Sequence, residues 1–309
     1  MAIKKKAMVF TIISVILISI LVFSFTLYNK YSLRDKSVVT GTRVKSMDNF
    51  IMDIENDIER GVYITGFRAI MSMEQYITTN GKFIGDFQPR FMEAFLNGTI
   101  NNSKMALMNE STFVNWTDKV KFEAEKLDIN LDFDINDVII YHDDPWEVKV
   151  YVDIKINVKD KKNTASWDRD VKITTNISIE EFEDALYSIN SNGKVTNKII
   201  KTTITDFVDG EDATNLQIHL NNSYYIESET APSFLMRLAG NLSSSPYGIE
   251  SLVNIEEFKS QGFQTKSRSV VDYIYFGTQS TDNCQIENMP LWFMLDDNHL
   301  SAYECNCVE

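Results

Sequence analysis

Cysteine is scarce: three copies in 309 residues, Cys284, Cys305 and Cys307, all close to the C-terminus. That excludes a disulfide-stapled scaffold, which needs several spaced pairs. One bridge can form, leaving one thiol over. Cys305 and Cys307 are poorly placed to pair with each other, so Cys284 bonded to Cys305 is the expected bridge, with Cys284 to Cys307 as the alternative. Histidine also occurs only three times, and neither G-x-S-x-G, H-E-x-x-H nor a Gly-rich phosphate loop is present. Nothing in the sequence poises a nucleophile beside a base, so no catalytic residue and no cofactor are expected. Basic residues are outnumbered as well. All 44 acidic residues and 27 of the 30 basic ones lie beyond Tyr28, which gives that part a net charge of −17. A surface this acidic argues against nucleic acid or anionic lipid as a partner.

Charge is missing altogether from Ala7 to Tyr28, AMVFTIISVILISILVFSFTLY, 22 residues directly behind Lys4, Lys5 and Lys6. A helix of that length reaches across a bilayer, and it lacks the polar face a soluble core helix would show. A transmembrane helix is expected, with the lipid bilayer as its partner. The three lysines place the N-terminus in the cytoplasm; Lys30, Arg34 and Lys36 oppose them, but a short basic leader is retained while a long acidic domain translocates regardless of its charge. The apolar run is too long for a secretory signal peptide, and no Ala-x-Ala follows it.

The pattern Lys4-Lys5-Lys6-Ala7-Met8 ahead of an unbroken apolar helix resembles the class III signal of archaeal pilins and pilin-like proteins. That resemblance implies cleavage between Ala7 and Met8, a helix packed in a filament centre, pilin-like subunits or other surface proteins as partners, and a structural or adhesive role. Many family members carry a glutamate five residues past the cut, where this chain has Ile12. The alternatives are an unprocessed single-pass protein whose outer domain binds or senses a ligand or partner, and, third, an ectoenzyme. ISIEEFEDALYSINSNG resembles a segment of uncharacterised archaeal membrane-anchored proteins, with no activity attached to it.

The expected organisation is a basic leader over 1–7, a transmembrane helix over 8–28, an amphipathic stalk helix over 29–80, and an extracytoplasmic α+β domain over 81–309, subdivided near 193. Val44, Met47, Ile51, Ile54, Ile58, Val62, Phe67, Ile70 and Ile77 keep helical rhythm in the stalk, with Gly41 and Gly66 as points of bending or close approach. Asn80 and Gly81 close it. Helices are predicted over Phe87–Leu96 and Trp116–Leu127, the latter with Val120, Phe122 and Ala124 inward.

The alternation in DINLDFDIND predicts a half-buried strand from Asp128. A calcium loop is the rival reading, but Phe133 stands where that loop needs Gly and Ile139 where it needs Glu. Val138–Tyr141, Trp146–Val158 and Val171–Ile179 continue the antiparallel meander, turning at His142-Asp143-Asp144-Pro145 and at Lys159–Asn163. His142 beside two aspartates could also form a metal or acid/base pair.

Ser178 and Glu181 form a capping box for a helix from Ile179 to Tyr187. Strands are then predicted over Lys198–Phe207, Asn215–Leu220, Tyr224–Glu227, Gly248–Ile255, Val270–Phe276, Leu291–Leu295 and Leu300–Tyr303, with a short helix over Pro232–Leu238. Cys284, His299, Cys305 and Cys307 could supply four zinc ligands, but their spacing matches no standard knuckle, and a disulfide is the preferred reading. Seven sequons begin at Asn97, Asn101, Asn109, Asn115, Asn176, Asn221 and Asn241. They are glycosylation acceptors only if the domain is external.

Overall fold

The computed structural model describes the backbone of residues 2–278 and 282–308, and the side chains of residues 13–31, 37–278 and 282–308. Helix α1 runs unbroken from Ala2 to Asn80, 79 residues, or ~118 Å at the helical rise. The transmembrane segment, expected to continue into the amphipathic one, is one end of this rod and the amphipathic segment the other. Every described side chain before Arg43 is exposed. From Met47 onward the character changes: Met47, Ile51, Ile54, Ile58, Val62, Ala69, Ile70, Met73 and Ile77 are buried. Their spacing, mostly three, four or seven, puts them on one stripe facing the rest of the chain. Gly81, at φ +62°, ends the helix by donating its N–H to Ile77 O.

Helix α2 (Phe87–Asn97) stops at the left-handed Gly98, and the two-residue strands β1 (Thr99–Ile100) and β2 (Ser103–Lys104) follow. A 3₁₀ turn over Ala106–Met108 leads into α3 (Phe113–Lys126). Thr112 caps α3: its hydroxyl accepts from Asn115 N, while Asn115 Oδ1 accepts from Thr112 N. The inward face of α3 is Phe113, Thr117 and Ala124 with half-buried Val120. Phe122, predicted inward, is 60% exposed and lies under the Lys126 ammonium, because two residues after Val120 is the far side of a helix. Phe91, Phe95, Phe113, Trp116 and Phe133 form a row of rings at 5.1–5.9 Å that ties α2, α3 and the sheet together.

The predicted meander is present as β3 (Ile129–Asp144), β4 (Glu147–Asp160) and β5 (Ser166–Ser178), antiparallel with β4 central. Val148, Val150, Val152, Ile154, Ile156 and Val158 are all at 0–1% exposure on the face toward the core. Helix α1 packs close to that face at Gly66, where a Cβ would lie 3.0 Å from Ile177 Cδ1 and 3.1 Å from Val150 Cγ2. Gly61 gives the same clearance to the Trp116 indole. The outer edge of β3 is closed by a side chain: Gln88 Nε2 donates to Val138 O at 2.7 Å, and its Oε1 accepts from Ile140 N at 3.1 Å. Arg43 fastens the start of the packed part of α1 through Asp160 Oδ1 at 2.9 Å and the Leu127 carbonyl at 2.7 Å.

Beyond β5 the elements are short. They are α4 (Ala185–Asn190), α5 (Thr214–Asn222), β6 (Tyr225–Glu227), α6 (Phe234–Ala239), β7 (Ile249–Ser251), α7 (Ile255–Ser260), α8 (Asp272–Phe276), β8 (Asn283–Gln285) and β9 (Met294–Asp296). Strands β6 and β7 pair, as do β8 and β9. The buried apolar residues fall into two clusters, one built on α1 and the meander and one on residues 186–305.

Several expectations for this part are corrected. Asn215–Leu220 is helical, because Leu216, His219 and Leu220 point inward while Ile218 is 43% exposed. Val270–Phe276 enters α8 at Asp272, and Lys198–Phe207 makes only isolated bridges, at Lys198 and Lys201. Leu300–Tyr303 is a turn. Of Gly248–Ile255 only Ile249–Ser251 is strand, and the last strand is Met294–Asp296 instead of Leu291–Leu295. The Ser178–Glu181 capping box does not form. Glu181 has φ +71°, which a helix cannot accept, and the helix begins later with Asp184 as its cap.

Candidate functional site

The apolar end of α1 is the first functional element. Ile13–Tyr31 has mean hydropathy 1.8 and none of it is buried, so by length and composition this one N-terminal helix can cross a membrane. From Tyr31 to Arg43 the helix advances ~18 Å, and Arg43 makes the first bond to the rest of the chain among the described side chains. Ala7, Met8 and the lysines at 4–6 are backbone positions of α1 whose side chains, with that of Ile12, lie outside the described residues.

Inside the second half of the chain sits a closed ionic centre. Arg237, on α6, is fully buried, and all of its N–H groups are engaged. Nη1 donates to Asp184 Oδ2 at 2.6 Å and Asp272 Oδ2 at 2.9 Å. Nη2 donates to Asp272 Oδ1 at 3.1 Å and to the Ile249 carbonyl, and Nε to Pro232 O at 3.4 Å. Local structure aims both carboxylates. Asp184 is the N-cap of α4 and accepts from Leu186 N at 2.9 Å. Asp272 opens α8 and accepts from Ser251 N and Oγ at 3.0 and 2.7 Å. Burial works against the Arg237 charge, and Asp272 and Asp184 more than offset it. Burial pushes Asp184 up while Arg237 pulls it back. The geometry favours the ionised carboxylate: Asn197 Nδ2 donates to Tyr225 Oη at 3.0 Å, which turns the Tyr225 proton onto Asp184 at 2.8 Å.

A second buried group lies across β7. His299 Nδ1 donates to both Asp296 oxygens at 2.8 Å, and its Nε2 lies 3.1 Å from Tyr273 Oη and 3.2 Å from Glu250 Oε2. Neither Glu250 oxygen reaches hydrogen-bond geometry, so its attraction to His299 is ionic. Strand β7 is shared between the two groups: Ile249 and Ser251 serve Arg237 and Asp272, and Glu250, pointing the other way, serves His299. Burial alone would lower the His299 pKa, but Asp296 and Glu250 outweigh it and raise it to about 10.

The folded imidazole therefore holds its proton where the unfolded one, near 6.5, releases it. The stability it contributes is complete below that unfolded value and is lost as pH rises through about 10. Thermal melting followed from pH 7 to 10.5 should show a falling Tm, and His299→Gln should flatten that slope while lowering Tm at pH 7.

Both groups are sealed. Arg237, Asp184, Asp272 and Glu250 are at 0% exposure, so they stabilise the interior and present no group to a solute. Sequence reading missed all four. For Arg237, Asp272 and Glu250 the signal was a lone charge inside an apolar segment, FLMRLA, VVDYIYF and GIESLV; Asp184, in the acidic run EEFED, carries no such mark.

The residues singled out from sequence sit apart. His142 faces backbone, with Nδ1 at 3.1 Å from Asp144 O and 2.9 Å from Glu147 O, while Asp143 pairs with Lys149. The disulfide joins Cys284 to Cys307, not to Cys305. The C-terminal tail runs antiparallel beside β8, with Val308 N donating to Gln285 O at 2.9 Å; this pairs Cys307 with Ile286 and leaves Cys284, its diagonal neighbour, at a Cα–Cα distance of 5.5 Å. Cys305 turns inward as a buried thiol donating to Tyr303 O at 3.0 Å, and burial pushes its pKa up to about 12. The four supposed zinc ligands are thus divided among a disulfide, a core thiol and an ion pair. Asn97, Asn101, Asn109, Asn176, Asn221 and Asn241 are exposed. Asn115 is half-buried and occupied by the α3 cap.

Compared with models of known families, with curated proteins and with solved structures, the chain matches none.

Proposed function

We propose that the chain is a single-pass, membrane-anchored cell-surface protein of archaeal pilin-like build, with its N-terminus cytoplasmic and its acidic head outside. Its role in this reading is structural or adhesive, without catalysis. The observation that carries it is the continuity of α1: the exposed apolar segment Ile13–Tyr31 and the buried stripe from Met47 to Ile77 belong to one helix. An anchor that is also the core of the head transmits force and orientation with no hinge between them. The basic leader ahead of the span and six exposed sequon asparagines fit the same placement.

A second reading keeps the anchor but omits processing and filament assembly, using the head to bind or sense a partner. Ile12, in place of the glutamate that the pilin resemblance calls for, favours it.

N-terminal sequencing of the membrane-derived protein, together with fractionation of sheared cells, separates the two. A start at Met8 and recovery in sheared filaments is the expected result. An intact Lys4–Lys6 in a membrane fraction without filaments would leave only the second reading. A freely soluble full-length chain would overturn both.

A further inference from the structure

A cleft of about 370 Å³ opens between α1, the loop before α3 and α3 itself. Arg60 and Arg68 reach it from α1, and Lys119 from α3. Asp57 and Glu110 line the same cleft, yet none of the three cations forms an ion pair with them or any other carboxylate among the described residues. Arg68 donates to the neutral Ser111 hydroxyl, and Lys119 Nζ to the Glu110 backbone carbonyl at 3.0 Å. Arg60 makes no hydrogen bond among the described residues. Three unpaired cations against two carboxylates thus leave this concavity with a formal excess of one positive charge on a chain whose net charge is −14. Guanidinium groups present N–H donors in a planar fork that matches carboxylate, sulfate and phosphate oxygens. The cleft falls within the size range of small-molecule sites. One wall is rigid, since the Trp116 indole lies 3.1 Å from where a Gly61 Cβ would be and stacks on Phe113 at 5.3 Å.

We infer that this cleft binds a small oxyanion-bearing ligand, its negative group held by Arg60 and Arg68 with Lys119 beside them. The inference is independent of whether the head belongs to a filament. The cleft uses no residue of the anchor or of the buried ionic groups, so a ligand can occupy it while the fold stays intact.

The test is calorimetric titration of the full chain in detergent micelles with sodium sulfate, inorganic phosphate, citrate and galacturonate, at ionic strength held constant with sodium chloride. At least one probe should bind saturably, and R60Q/R68Q should weaken it by about tenfold or more. Lys172→Gln, on the exposed face of β5, should leave it unchanged. Preference for sulfate or phosphate identifies a tetrahedral anion; preference for citrate or galacturonate identifies a carboxylate. Should R60Q/R68Q lose its circular dichroism signal, K119Q carries the comparison. Non-saturating signals with all four probes, or equal affinity in wild type and variants, would overturn the inference, as would an equal loss in Lys172→Gln.

Discussion

Replacing Arg237 with methionine is expected to cost about 3–5 kcal/mol of unfolding free energy, the usual result of removing one member of a buried ion pair. Methionine fills much of the volume, so the loss comes from what is left behind. Asp184 and Asp272, both at 0% exposure, would remain as neighbouring carboxylates with no cation between them, and the Ile249 carbonyl would lose its donor. Lysine should rescue little, because an ammonium cannot reproduce the fork that reaches two carboxylates and two carbonyls at once. The Arg237→Met, Asp184→Asn, Asp272→Asn triple variant should recover a large part of the loss, since it removes the stranded charge. Urea denaturation of the detergent-solubilised protein measures all three. A loss below about 1 kcal/mol for Arg237→Met would show that the centre is open to water in solution.

The first half of the chain was legible in sequence because its local periods agree with its tertiary placement. Helix α1 buries one stripe at helical spacing, and β4 buries every second residue, so pattern and packing gave the same answer. In the second half they diverge. Asn215–Leu220 alternates apolar and polar side chains, but the buried partner of Leu216 and Leu220 is His219, which counts as polar in any such pattern. VVDYIYF is rich in β-formers, yet Asp272 must reach Arg237, and the chain turns helical at that residue. Elements of five or six residues, organised by a buried arginine and a buried histidine, leave almost no periodic trace. The C-terminal cysteines show the same limit: three thiols in sequence permit either bridge, and only the antiparallel run of Val308 beside Gln285 selects Cys307.

Two arginines in the apolar segment should detach the protein from membranes without disturbing its head. Leu17 and Leu21 are 59% and 57% exposed, one turn apart near the middle of α1's apolar end. An arginine at the centre of a spanning helix costs about 2.5–3.5 kcal/mol, so Leu17→Arg/Leu21→Arg should weaken insertion by about 5–7 kcal/mol, or roughly 10⁴-fold. Alkaline carbonate extraction should move the protein from the pellet to the supernatant. Leu17→Ala/Leu21→Ala, and Val39→Arg placed past the span, should stay in the pellet. The Tm of the head should be unchanged in all of these, because every described side chain from Ile13 to Thr42 is exposed and the head's grip on α1 begins at Arg43 and Met47. Retention of the double-arginine variant in the pellet would mean that the head, not the helix, holds the membrane. A fall in its Tm would mean that the apolar end packs against the rest of the molecule in solution, and α1 would then be a core helix along its whole length.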